Sequence, residues 1–445
     1  MGRRSVTIAC LAFLSVRAFV ADAQFFATCR DGSVKELEAN VRAHAEHTYR
    51  MMDKLAHGVY KQDKLPSDSE FATLADVQGY LEKIQQAPAG VPRNVGVLFQ
   101  AYRDGQLCTW LISRKAIASH VAAIGREEHE RLRVQVLAAL GVPARARSRG
   151  AVQRGAMLVE AVGAPADPKA ALHRAGEVLF PPKVAAQIRD EPIDTVVVVP
   201  HFDFGNLPWA AVEFQGQPLV DVVSVLVVPG FASFRLPPGE PPPGFPRAII
   251  VGDPTIPRDK DYTLPALPGA RAEAEAVAKL VSAEPLTGPK ATRVALRKLL
   301  ETTHRDPALV YLATHGAADP VNPMDGGLLW FSDGRWAARD IQNLPLRGGR
   351  PLVVLSACQT GLGKTFDVGV IGMAQAWERA GARSLVMSLW RVDDAATSEL
   401  MTSFLREALK QPPDKALQTA MRGLRAKDPD PAHWASFAVY GLPGR

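Results

Sequence analysis

The sequence predicts an α/β protein whose carboxy-terminal half is a mainly parallel sheet with helices on both faces. Two observations carry this. Short, almost continuously apolar runs at 248–251, 309–312, 352–355 and 384–388 read as strands buried on both sides. They alternate with helical patterns at 270–281, 293–302, 370–379 and 395–408, the order that parallel crossover units require. The chain has 445 residues, 47% apolar and 22% charged, which excludes a disordered tail or a collagen-like rod and suggests two or three domains.

The elements follow in chain order. Arg3 and Arg4 precede an apolar run at 6–16, and Ala21-Asp22-Ala23 offers a small-x-small cleavage site. That grammar predicts a secretory signal peptide over 1–23 and a periplasmic or secreted protein. The run ends at Arg17, too short to span a bilayer, and no later stretch is apolar enough, so no integral membrane segment is expected after its removal. A misread start, leaving a cytoplasmic protein, is the competing reading.

A helical amino-terminal region is expected over 24–92. Ser33-Val-Lys-Glu36 reads as a capping box opening its first helix, and a second helix is expected at 69–85. His44, Glu46 and His47 on the first helix are expected at the surface, since two histidines three apart do not complete a zinc site. Runs at 95–102 and 106–112 flank Asp104-Gly105 and predict a tight hairpin. A helix at 127–140 and a mostly β stretch from Thr195 to Val228 follow. Residues 236–246, LPPGEPPPGFP, hold six prolines in eleven positions and read as a linker between 93–235 and 247–445.

Lys plus Arg number 52 against 46 Asp plus Glu, a balance without the dense basic stripe of a nucleic-acid binder, so no nucleic-acid partner is expected. Of four cysteines, Cys10 lies in the leader. Three remain, and the simplest arrangement pairs Cys29 with Cys108 and leaves Cys358 a free thiol. Three unrelated buried thiols satisfy the count equally well.

Two apolar strands stop at chemistry-bearing residues. His315-Gly316 follows the run at 309–312, and Cys358 follows that at 352–355. Ligands gather at the carboxyl ends of parallel strands, where helices leave a crevice. Cysteine attacks as thiolate and imidazole exchanges a proton near neutral pH, which suits acyl transfer. The N–H groups of Gly316 and Cys358 are candidates for holding an oxyanion. The bland alternative is an inert core thiol and a structural histidine. Cys358-Gln-Thr-Gly-Leu-Gly363-Lys364-Thr365 imitates a phosphate-binding loop, but that motif needs glycine where Cys358 stands. Neither nucleotide, metal nor other cofactor is expected, and no G-x-S-x-G elbow occurs.

These segments resemble the CHAT-domain family of caspase- and separase-like cysteine peptidases. The resemblance rests on VGDPTIP from Val251, LPGARAEAEAV from Leu267, LVYLATHG from Leu309, GGLLWFSDG from Gly326 and VVLSACQTGLGK from Val353. VIGMAQAWERAGARSLVMSLWRVDD from Val370 and WASFAVYG from Trp434 complete it. A weaker likeness runs upstream through VVVVPHFDFGNLPWAAV to the hairpin near Val95. The resemblance implies a caspase-like fold over 247–445, preceded by a degenerate, pseudo-catalytic α/β half over 93–235 and the helical region.

By motif position it puts the nucleophile on Cys358 and the proton donor to the leaving amine on His315. The histidine leads by 43 positions, in the order of the caspases, where the distance is about 50. It implies that Asp394, with Asp393 nearly as good a match, receives a basic side chain just before the cut bond. Asp394 as cap of the following helix is the alternative. The expected function is a cysteine endopeptidase acting on a protein or peptide substrate, with an activating partner or cut where activation needs one. A catalytically silent interaction scaffold of the same fold is the alternative.

Overall fold

The computed structural model describes residues 28–57, 71–85, 93–140, 167–200, 204–205, 207–236, 244–257, 264–301, 307–317, 323–346, 350–357, 365–366, 369–370, 372–390 and 394–444. The expected leader at 1–23, most of the proline-rich stretch at 236–246, Cys358 and Asp393 lie outside the described residues.

The amino-terminal region forms α1 (Val34–His57) and α2 (Leu74–Gln85). Ser33 Oγ accepts the Glu36 N–H at 3.3 Å, one half of the expected capping box. The Glu36 carboxylate takes a different route and accepts the N–H groups of Arg30, Asp31 and Gly32 at 3.0–3.2 Å. The second helix begins at Leu74 rather than 69, because Thr73 and Asp76 make a reciprocal cap there. The Thr73 N–H donates to Asp76 at 2.7 Å, and the Asp76 N–H donates to Thr73 Oγ1 at 3.3 Å. His44 and His47 correct the sequence reading: both are buried, His44 completely, because the apolar face of α1 is wide enough to take them into the core. Glu46 stays partly exposed and pairs with Arg50 at 2.6 Å.

The hairpin forms as expected from β1 (Val95–Arg103) and β2 (Gln106–Ile112). Asp104 and Gly105 take φ of 52° and 80°, the left-handed pair that a two-residue turn between twisted strands needs. β3 (Ile117–Ala123) extends the ribbon, and α3 (Arg126–Ala139), α4 (Pro168–Leu179) and α5 (Pro182–Asp190) follow. Proline opens α4 and α5, where its missing N–H costs nothing. Between β4 (Thr195–Val199) and β5 (Ser224–Val227) the expected β stretch is interrupted by short 3₁₀ turns at Trp209–Ala211 and Leu219–Asp221, with a small hairpin of Glu213–Phe214 and Gln217–Pro218 between them. Pro208 and Pro218 cap these turns, and the left-handed Gln215-Gly216 pair makes the two-residue turn of that hairpin.

The second half contributes β6 (Ala248–Pro254), α6 (Pro268–Leu280), β7 (Leu286–Gly288), α7 (Arg293–Glu301), β8 (Leu309–Thr314) and β9 (Leu352–Ala357). It continues through α8 (Met373–Ala380), β10 (Ser384–Ser388), α9 (Asp394–Ala408), α10 (Pro413–Lys427) and β11 (Phe437–Gly441). β8, β9 and β10 are buried at every residue, so both of their faces are covered.

All these strands join one eleven-stranded sheet, in the order β3-β2-β1-β4-β5-β11-β10-β9-β8-β6-β7. Neighbours are parallel except at β2–β3, β1–β2 and β10–β11. The last strand of the chain therefore sits at the centre, parallel to β5 of the first half and antiparallel to β10 of the second. Its insertion makes the two halves run in opposite directions, with their carboxyl ends on opposite edges of the sheet.

α10 ties the halves together. Asp414 on its first turn pairs with Arg93, both almost fully buried, and accepts from Ser224 Oγ at 2.6 Å. Arg93 also donates to Thr195 Oγ1 at 3.0 Å. Lys415 pairs with Asp194 at 2.9 Å and Arg425 with Asp221. Removing one partner of the Arg93–Asp414 pair would strand the other charge in the core, at a cost of about 3–5 kcal/mol.

Candidate active site

β8 and β9 lie side by side in parallel register, with Thr314 opposite Ala357. His315 is the next residue after the first strand end, and Cys358 the next in sequence after the second. His315 is half-buried, and its Nε2 lies 2.8 Å from the carbonyl oxygen of Pro265. A carbonyl only accepts, so Nε2 carries a proton, and in the neutral ring Nδ1 is left as the acceptor.

The loop that carries the Pro265 carbonyl is tied down two residues further on. Asp253, near the end of β6, accepts the Leu267 N–H at 2.8 Å on one oxygen and Arg271 Nε at 3.0 Å on the other. Asp253 adopts φ 43°, a left-handed conformation that aspartate tolerates better than most residues. The aspartate of VGDPTIP thus fixes the loop whose carbonyl orients the histidine. Sequence reasoning missed this frame, because a backbone carbonyl leaves no side-chain signature.

Gly316 pairs with Leu329 in a small antiparallel ribbon made by Gly316–Ala317, Leu328–Phe331 and Gly334–Ala337. The Trp330 N–H donates to the His315 carbonyl at 3.1 Å, which makes Gly316–Leu329 a non-hydrogen-bonded pair. The N–H of Gly316 consequently points away from the ribbon. Thr314 Oγ1 donates to the Trp330 carbonyl at 2.6 Å and anchors the same bend from the preceding residue.

A pocket opens at this edge of the sheet, lined among others by Leu267, Thr314, Ala357, Trp390, Thr397 and Phe437. Asp394 is the first residue of α9, three positions before the pocket-lining Thr397. Asp393 lies outside the described residues.

Cys29 and Cys108 form a disulfide with Cα atoms 5.7 Å apart, joining the segment ahead of α1 to β2. Trp110 Nε1 donates to the Gly32 carbonyl at 2.9 Å beside it. Among the described residues, no group of three or more His, Cys, Asp or Glu side chains is arranged to hold a metal ion, and no helix is long and apolar enough to cross a membrane.

The CHAT domain family model matches residues 169–442. No curated protein sequence matches significantly. Among solved structures, a chain of the Saccharomyces cerevisiae separase–securin complex is similar over 97% of this chain at 12% identity, with a TM-score of 0.53. This chain covers 36% of that one, about a third of its length. The Arg-specific cysteine proteinase gingipain R is similar over 62% of this chain and 67% of its own at 11% identity, with a TM-score of 0.43. Caspase-1 from Spodoptera frugiperda is similar over 46% of this chain and 92% of its own at 16% identity, with a TM-score of 0.31. The separase likeness is one of fold, reached through the same mixed α/β architecture with a mostly parallel sheet. The family match runs from α4 through β4, β5 and the second half of the sheet to the central strand β11, well over half of the chain, and on that ground the chain belongs to the CHAT domain family.

Proposed function

We propose that this protein is a periplasmic or secreted cysteine endopeptidase in which Cys358 is the nucleophile and His315 the proton donor and acceptor. The observation that supports this best is the in-register pairing of β8 with β9, which makes His315 and Cys358 successors of adjacent strand ends at one open edge.

The chemistry runs as acyl transfer. The thiol of Cys358 gives its proton to the imidazole and attacks the peptide carbonyl carbon as thiolate. The carbonyl electron pair moves onto oxygen, where the N–H groups of Gly316 and Cys358 receive it. The outward turn of the Gly316 N–H supports that role. As the tetrahedral intermediate collapses, the C–N bond breaks and the imidazolium of His315 delivers its proton to the amine. The amine leaves with a new amino terminus, and a thioester remains on Cys358. Water then attacks the thioester, giving one proton to His315. The carboxylic acid leaves, and Cys358 regains its thiol from that proton. The bond from Nε2 to Pro265 keeps Nδ1 as the nitrogen that exchanges these protons.

A basic residue before the cut bond is part of the proposal, with Asp394, or Asp393 beside it, as carboxylate partner. The start of α9 at Asp394, one turn from the pocket-lining Thr397, supports this. Secretion is supported by the leader-like segment at 1–23 together with the Cys29–Cys108 bond. A protein partner that controls activity is also proposed, as separase is held in complex with securin.

The test mixes purified protein, wild type beside Cys358→Ala, with a denatured proteome-derived peptide library and reads new amino termini by mass spectrometry. Cuts made by wild type alone are expected, with Arg or Lys before the bond. Equal spectra from the two proteins, with Cys358 unreactive to iodoacetamide, would sink the peptidase reading and leave a scaffold. Non-reducing mass spectrometry of native protein tests the location through the Cys29–Cys108 bond.

A further inference from the structure

We infer that the buried hydroxyls of Thr314 and Ser388 are positioning groups for the oxyanion, each fixing the backbone unit that carries one of its two N–H donors. This deepens the peptidase reading and rests on it. Both residues act through the backbone rather than on the substrate.

β8 reads LVYLAT and β10 reads SLVMS, so a hydroxyl residue closes each strand at the active-site edge. Thr314 is 1% exposed and Ser388 3%. Valine and alanine would fill the same places without a polar atom, and a buried hydroxyl is costly unless it is hydrogen-bonded. Both hydroxyls are given to backbone carbonyls.

Thr314 Oγ1 donates to the Trp330 carbonyl at 2.6 Å, and the Trp330 N–H donates to the His315 carbonyl at 3.1 Å. Trp330 is thus held by Thr314 and in turn holds the next residue of the bend. A peptide unit is planar and trans, so a fixed His315 carbonyl turns the Gly316 N–H to the opposite side.

Ser388 acts on the neighbouring strand with one link fewer. Its Oγ donates to the carbonyl oxygen of Ala357, the last residue of β9. Backbone pairing of β9 with β10 runs from Leu352–Ser384 to Leu355–Met387, so this bond holds a carbonyl beyond the ladder. By the same planarity, the donor that draws this carbonyl toward β10 directs the N–H that follows it, the Cys358 member of the proposed pair, toward β8. Thr314 and Ala357 stand opposite each other in the β8–β9 register, which puts both anchors at one level of the sheet. Donors set in direction beforehand need no reorganisation when charge develops on the substrate oxygen.

The experiment compares wild type with Thr314→Val and Ser388→Ala, which remove a hydroxyl, and with Thr314→Ser and Ser388→Thr, which keep it. The substrate is a fluorogenic peptide taken from a mapped cut. Three probes accompany it. Its aldehyde adds the thiol and places an oxygen in the oxyanion position, its alcohol cannot, and iodoacetamide alkylates the thiol without forming an oxyanion. Each hydroxyl-free variant should lose about tenfold in kcat with KM within about threefold, and should bind the aldehyde about tenfold more weakly. Alcohol affinity and the iodoacetamide rate on Cys358 should stay within about threefold of wild type, and Thr314→Ser and Ser388→Thr should cleave as wild type does. Melting curves establish that each protein folds.

Folded Thr314→Val and Ser388→Ala that keep kcat and aldehyde affinity overturn the inference and leave the peptidase reading standing. Equal losses in cleavage and in iodoacetamide alkylation overturn it as well, because they mark a general disturbance of the site. A folded Thr314→Ser or Ser388→Thr that loses the tenfold also overturns it, a readout that stands even where a hydroxyl-free variant fails to fold. A wild type that neither cuts peptides nor binds the aldehyde removes the peptidase reading and this inference with it.

Discussion

At the carboxyl ends of β8 and β9 the described residues line a pocket, with Thr314 and Ala357 on its wall. At those of β1 and β4, on the opposite edge of the same sheet, α1 fills the corresponding space. There His44 lies in a T-shaped arrangement with Phe99 at 5.7 Å and with Phe231 at 5.1 Å. Gly230 approaches so closely that a Cβ on it would stand 3.2 Å from His44 Cε1. Burial drives the His44 pKa down to about 3, and the charge of His47 pushes the same way. His315 is the counterpart at the open edge: half-buried, oriented by one carbonyl, and beside a pocket. Two histidines at two strand-end edges thus have different fates. Aromatic packing fixes one as a neutral core group, whereas a single backbone carbonyl orients the other.

Substitutions can break or sharpen this contrast. The largest expected effect is at the open edge. Cys358→Ala should lower peptide cleavage by roughly a thousandfold or more, and His315→Ala by roughly a hundred- to ten-thousandfold. His44→Leu should leave turnover per folded molecule unchanged, as kinetics normalised to active-site titration would show. A comparable loss in His44→Leu would erase the distinction between the edges.

The disulfide comes next. It closes a loop across 79 positions of sequence, so opening it by Cys29→Ala with Cys108→Ala should lower stability by about 4 kcal/mol, read from urea midpoints. Cleavage by the folded fraction should persist, since the bond lies in the filled half. Loss of activity without loss of stability would contradict that.

A smaller effect is expected at Asp253. Asp253→Ala releases the loop carrying the Pro265 carbonyl and should lower kcat by about tenfold with KM nearly unchanged, through a looser His315. The pH profile of kcat should shift as well, which a purely structural role would not produce.

The smallest effect is a slope. His44 binds a proton in the unfolded chain below about pH 6.5, yet in the folded chain only near pH 3. Its contribution is therefore complete above pH 6.5 and is lost as pH falls toward 3, at about 1 kcal/mol per pH unit. Denaturant titrations between pH 7 and 4.5 should show that slope in wild type and a flatter one in His44→Leu. Equal slopes would remove His44 as the cause.

Parts of this architecture are legible in the sequence because their causes are local. The hairpin follows from Asp104-Gly105, and the central strands from apolar runs ended by turn residues. His315 and Cys358 are legible because each follows such a run. The insertion of β11 between β5 and β10 is not, since Phe437–Gly441 carries no mark of which partners it will choose. Nor is the burial of His44, which depends on Phe99 and Phe231 arriving from far along the chain. The stretch between β4 and β5 is rich in Val and Phe and reads as β, but Pro208 and Pro218 open 3₁₀ turns there and only a two-residue-a-side hairpin around Gln215-Gly216 pairs. The Asp253–Pro265–His315 frame stays hidden because its middle member is a backbone carbonyl.

The central claim is that His315 and Cys358 form one reactive site at the open edge. It is tested most directly by a peptidyl acyloxymethyl ketone ending in arginine, with the adduct located by peptide mapping and its rate measured. The account predicts a single thioether on Cys358 in native wild type, formed roughly a hundredfold faster than in His315→Ala and lost on unfolding. A Cys358 left unmodified in the folded protein, or modified at one rate in wild type, His315→Ala and urea, would contradict it.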